Sequence, residues 1–66
     1  MKNYVKEERI ENQLTQVQLA EKVAVSRQTI ISIESSRYTP SVILAIKLAN
    51  ALNKKVDELF ELEKMD

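Results

Sequence analysis

Four residues within one short stretch, Arg27, Gln28, Thr29 and Ser32, carry side chains suited to recognition by hydrogen bonding. If a helix starts after Ser26, Arg27-Gln28-Thr29 forms its first turn and Ser32 is the next outward position. An ordinary surface helix would show Glu and Lys there. These side chains instead match the edges of bases in a major groove. A guanidinium pairs with guanine O6 and N7, a carboxamide with adenine N6 and N7, and a hydroxyl takes either role. The N-terminal end of a recognition helix is the part that reaches the bases. The plain alternative is a solvated helix face. Other chemistries are poorly supplied. The chain has no His and no Cys, which removes the usual zinc sets, thiolates and disulfides. It has no Gly, hence no Gly-rich phosphate loop. The acidic metal ligands a nuclease needs are missing from the stretch. The expectation is a binding protein, not an enzyme, with no metal or cofactor.

Presenting such a turn requires a rigid pair of helices. Residues 16–33 read as that pair, joined by a tight turn. Ala20 is the small residue that a steep helix crossing demands. Leu19, Val23, Val25, Ile30 and Ile33 are the apolar anchors that fix the angle. Thr15 with Gln18 forms a capping box ahead of the first helix of the pair, and Ser26 caps the second. The apolar spacing and caps predict five helices in all, near residues 3–12, 15–23, 26–35, 42–52 and 56–62. Val5, Arg9 and Ile10 fall near one face of the first, with Leu14 closing it. Pro40 ends the loop at 35–40, and Ser41 caps a fourth helix that is apolar on most sides and therefore reads as central. Asp57 and Glu58 suit the first turn of the fifth. The fold class is an all-α domain.

The chain has 66 residues, enough for a single small domain, residues 1–66, of marginal stability. No apolar run approaches a membrane span, and the first residues lack the apolar core of a signal peptide, so a cytoplasmic protein is expected. Formal net charge is zero, which argues against nucleic-acid binding until its distribution is considered. Residues 1–12 balance. Residues 13–56 hold six cations, Lys22, Arg27, Arg37, Lys47, Lys54 and Lys55, against Glu21 and Glu34, a net +4. Residues 57–66 hold Asp57, Glu58, Glu61, Glu63 and Asp66 against Lys64, a net −4. The basic part coincides in sequence with the helix pair.

Over about residues 3 to 60 the chain resembles the Xre/Cro repressor-like family of helix-turn-helix domains. LTQVQLAEKV, VSRQTIISIE, YTPS and VDELF carry the resemblance, in the family's order and spacing. It implies a compact five-helix domain that binds double-stranded operator DNA, usually as a symmetric homodimer, of the short stand-alone bacterial type. By the same resemblance, Gln16 contacts a phosphate and steadies the recognition helix. Arg27, Gln28 and Ser32 read bases, Thr29 meets a phosphate or a thymine methyl, and Ser26 is the cap. Arg37 and Tyr38 clamp the DNA backbone, Tyr38 having loop packing as its alternative. Arg9 and Glu34 form an internal ion pair. The dimer interface falls near the fifth helix, with Val56, Leu59, Phe60 and Leu62 as candidates; Leu59 and Phe60 have the core as their alternative. The family often has Gly at the positions of Gln13, Ala24, Ser36 and Asn53, and Ser or Thr at that of Lys55. The fifth helix should therefore fray easily.

These features together imply a sequence-specific transcriptional regulator, a repressor that occupies an inverted repeat with half-sites about 34 Å apart. Two rival classes stand beside it: an antitoxin or protein-interaction module on the same fold, and a nonspecific architectural DNA binder. With no effector domain evident, a regulatory signal would come through a protein partner, protein level, or temperature and ionic conditions.

Overall fold

A computed structural model describes residues 1–66. The elements run in the order β1 (Lys2–Asn3), α1 (Val5–Glu11), α2 (Gln16–Lys22), α3 (Arg27–Glu34), α4 (Val42–Ala51), α5 (Val56–Leu59) and β2 (Phe60–Glu61). Five helices enclose one core of twelve buried apolar residues. Leu19, Ala20 and Val23 from α2 and its end meet Ile30 and Ile33 of α3 there. Leu44, Leu48 and Ala49 of α4, followed by Leu52, close it from the other side. No helix is long and apolar enough to cross a membrane.

The helix starts follow from their caps. The Thr15 hydroxyl accepts the Gln18 amide at 3.0 Å, and the Gln18 side chain accepts the Thr15 amide at 2.8 Å. Ser26 and Ser41 each accept the amide three residues on, at 3.2 Å. The helix ends share a different device. Gln13, Ala24, Ser36 and Asn53 all have positive φ, between 57° and 61°. Each follows the last capping residue of a helix. At Ala24, the Val25 amide reaches back to the Ala20 carbonyl at 3.0 Å and the Ala24 amide to Glu21 at 3.3 Å. The same pair of bonds recurs after α1, α3 and α4, so four helices end in Schellman motifs built without glycine.

Three expectations are corrected. The first helix begins at Val5, not residue 3, because Lys2–Asn3 pairs antiparallel with Phe60–Glu61. The fifth helix stops at Leu59, not residue 62. Its cap, Lys55, offers no side-chain oxygen, and only the Glu58 carboxylate accepts the Lys55 amide, at 2.9 Å. A single turn held this weakly gives way to an extended Phe60, whose aromatic side chain favours a strand and is buried. The Tyr4 amide then takes the Leu59 carbonyl at 2.9 Å. The third correction concerns exposure. Ile10 lies outside the core, and α4 buries only one face, leaving Val42, Ile43 and Ile46 to solvent.

Candidate nucleic-acid interface

α2 and α3 make the most extensive helix pairing in the molecule, with Ala20 buried between them. That pairing turns the first turn of α3 outward. Arg27 and Gln28 are exposed, while Thr29 and Ser32 are half-buried. The Ser26 hydroxyl accepts the Thr29 amide and lies 3.0 Å from the Thr29 hydroxyl. The two hydroxyls therefore hold each other at the helix start.

Ser26, Gln28, Thr29, Ser32 and Tyr38 line one shallow notch of about 320 Å³. Gln28, Thr29 and Ser32, three of the four recognition candidates on this turn, thus meet at one place, joined by a loop aromatic. The loop is tied to α3: the Arg37 and Tyr38 amides both donate to the Ser32 carbonyl, at 2.9 and 3.3 Å. Tyr38 lines the notch and is about half exposed, with the rest of its surface against its own loop. Arg27 and Arg37 are exposed outside it and make no ion pair.

Gln16 lies elsewhere, in a second notch of about 270 Å³ lined by Lys6, Gln16, Ile31, Glu34 and Ser35. Beneath it is the expected ion pair. Arg9 Nε donates to Glu34 Oε2 at 2.7 Å and Nη2 to Oε1 at 3.3 Å, with the side chains only 11% and 5% exposed. Arg9 Nη1 also donates to the Leu14 carbonyl at 2.9 Å, fixing the loop that leads into α2. Gln16 Nε2 donates to Glu34 Oε1 at 3.2 Å, so the start of α2 is bonded directly to the end of α3. One carboxylate therefore joins three helices. Sequence reasoning did not single out Lys6 or Ser35. For Ser35 the signal would have been position, seven residues beyond Gln28 at the cap of α3; Lys6, a lone lysine on a helix, offered none.

The cations of residues 13–56 do not gather at this face. Lys22 and Lys47 line a separate notch with Ala24 and Asn50. Lys54 approaches Glu8 at 3.9 Å. Of the interface candidates, Leu59 and Phe60 belong to the monomer's own core, whereas Val56 and Leu62 are exposed.

Comparison with known proteins agrees with the fold. A helix-turn-helix family model matches residues 5–59. An uncharacterised helix-turn-helix transcriptional regulator of Methanothermobacter thermautotrophicus is 47% identical over 64 residues, covering 96% of this chain and 93% of the relative. The Bacillus subtilis regulator YgzD, also uncharacterised, is 44% identical over 63 residues and 96% of each chain. Among solved structures, the restriction-modification controller protein C.AhdI of Aeromonas hydrophila superposes with a TM-score of 0.79 at 30% identity, covering 85% of each chain.

Proposed function

Because the chain belongs to the Xre/Cro-like helix-turn-helix family of transcriptional regulators, we propose that residues 1–66 form one DNA-binding domain that represses transcription from an inverted-repeat operator, as a homodimer in the cytoplasm. The observation that carries this reading is the outward first turn of α3, where hydrogen-bonding side chains converge on one notch. Gln28 and Ser32 read base edges from it, and Arg27 reads a guanine beside it. The Thr29 hydroxyl is held by Ser26, which leaves its methyl to pack against a thymine. Arg37 and Tyr38 clamp the DNA backbone. Repression needs nothing beyond occupancy, since a bound dimer over a promoter excludes the polymerase.

A single recognition helix reads few bases, so two copies related by a two-fold axis are needed for an operator-length site. The surface that suits the second copy is an apolar groove of about 330 Å³ flanked by Pro40, Val42, Ile46 and Val56. An isologous contact joins a patch to itself, which suits a patch without charge. On this reading the contact takes in the start of α4 as well as α5.

The test is selection of sites from a random DNA library, followed by binding to the selected site and to random DNA over a salt series. A specific reader prefers its site by about a thousandfold or more. Comparable affinity for both would leave an architectural binder, and no DNA binding at all would leave a protein-interaction module.

A further inference from the structure

The loop that carries Arg37 and Tyr38 is held from outside the helix-turn-helix. The last carbonyls of a helix have no partner within it. At the end of α3 the Ile33 carbonyl accepts the Ser36 amide at 3.0 Å and, from thirty residues away, Asn3 Nδ2 at 2.9 Å. The same nitrogen donates to the Ser36 hydroxyl at 3.4 Å. Ser36 is the left-handed residue of this helix end, with φ 61°. Its Cβ makes that conformation unfavourable, and the two bonds from Asn3 oppose its relaxation.

Asn3 is itself fixed. Its backbone pairs with the buried Phe60 across the two strands. Its Oδ1 accepts the Val5 amide at 3.2 Å, which turns the acceptor end of the carboxamide toward α1 and leaves the donor end for α3. A gap of only about 10 Å³ separates strands and loop. Ser36, Tyr38 and Pro40 of the loop and Asn3 and Phe60 of the strand pair line it. From Ser36 the chain runs directly to the reading notch, where the Arg37 and Tyr38 amides donate to the Ser32 carbonyl and Tyr38 forms part of the wall.

We propose that Asn3 is a positioning residue for DNA binding. It ties the loop to the strand pair, so that Arg37 and Tyr38 are placed for the DNA backbone before DNA arrives. Asn3 itself never meets the DNA. The inference rests on the DNA-binding reading and extends it to a strand pair outside the helix-turn-helix. A loop that is ordered in the free protein does not have to be ordered on binding, and affinity gains by that difference.

The test is Asn3→Ser, which keeps an oxygen for the Val5 amide but lacks the nitrogen that reaches Ile33. The variant is titrated with the selected operator and with random DNA, well below its melting temperature. It is then combined with Arg37→Ala and Tyr38→Ala. Asn3→Ser alone should weaken both DNAs by the same factor, about two- to tenfold, the worth of one hydrogen bond. Added to the variant that lacks both clamp residues, it should change neither affinity, because coupled residues are not additive. Ser36→Ala removes only the longer of the two bonds and should give a smaller loss with the same pattern. A purely structural Asn3 would lower the melting temperature and leave the affinity of the folded protein as it was. Unchanged affinity in both single variants, a loss that persists without the clamp residues, or a loss confined to the operator would overturn the assignment. Failure of the DNA-binding reading looks different: the unaltered protein itself would show no preference for its selected site.

Discussion

Gln28 stands exposed at the rim of the reading notch, with its carboxamide unpaired in the free protein. On the proposed reading its worth is realised only on DNA. Gln28→Ala should cost about 1–3 kcal/mol on the operator and relax preference at a single base step. Competition with operators altered one position at a time measures this; a uniform loss at every position would reassign Gln28 to the backbone. Ser32 differs, because its carbonyl anchors the loop through two amides while its side chain lines the notch. Changing it would alter the placement of Tyr38 together with the reading, so Gln28 is the cleaner probe. The outward placement of this turn was legible from type and position alone, since hydrogen-bonding side chains replace the usual Glu and Lys there. The placing of Lys6 beside Gln16 and Glu34 was not, because only the packing of helices brings residues so far apart in the chain together. The Arg9–Glu34 pair was legible through the family pattern, and its depth came from the fold. Removing one partner of a buried pair strands the other charge, at a cost of about 3–5 kcal/mol.

At the level of elements, helix starts were easier to read than helix ends. A cap such as Ser26 or Thr15 announces itself by an oxygen at a fixed distance from an apolar run. The ends here have no glycine to mark them, yet all four adopt the left-handed geometry that glycine favours. Asn53 tolerates it well; Ala24 does not, since its Cβ meets the following carbonyl at a cost of about 1–2 kcal/mol. Ala24→Gly removes that clash and gives back about 0.4–1 kcal/mol through the freer unfolded chain. The expected net gain is about 1 kcal/mol, read as a higher urea midpoint with an unchanged m-value. A lower midpoint would show that the turn carries no strain. The end of α5 was misread for a different reason. Apolar spacing over residues 56–62 suits a helix, but the pairing of Phe60 with Asn3 joins positions far apart in the chain, and no local window contains both.

Across the whole molecule, the net +4 of residues 13–56 proved a poor guide to where charge acts. Folding sends Lys22 and Lys47 to one notch and Lys54 toward Glu8, leaving Arg27 and Arg37 on and beside α3. The apolar balance was altered in a similar way. Leu59 and Phe60 were spent on the core, whereas α4, expected to be central, leaves Val42 76% and Ile46 46% exposed beside Val56. A domain this small gains little by leaving such side chains in water, where each fully buried aliphatic side chain is worth about 1.5–3 kcal/mol. Covering them with a second copy recovers part of that and doubles the bases read. Assembly of this kind has a thermodynamic signature: the melting temperature rises with protein concentration, because dimers are favoured by mass action. Val42→Lys should abolish that dependence and give the mass of a single chain by light scattering at micromolar concentration. It should also weaken operator binding far more than binding to a half-site. Val42 is mostly solvated in the monomer, so the substitution should leave the helical circular dichroism spectrum intact. If the unaltered protein melts at one temperature at every concentration and remains a single chain when bound to its operator, the groove has another occupant and the two-fold mechanism fails.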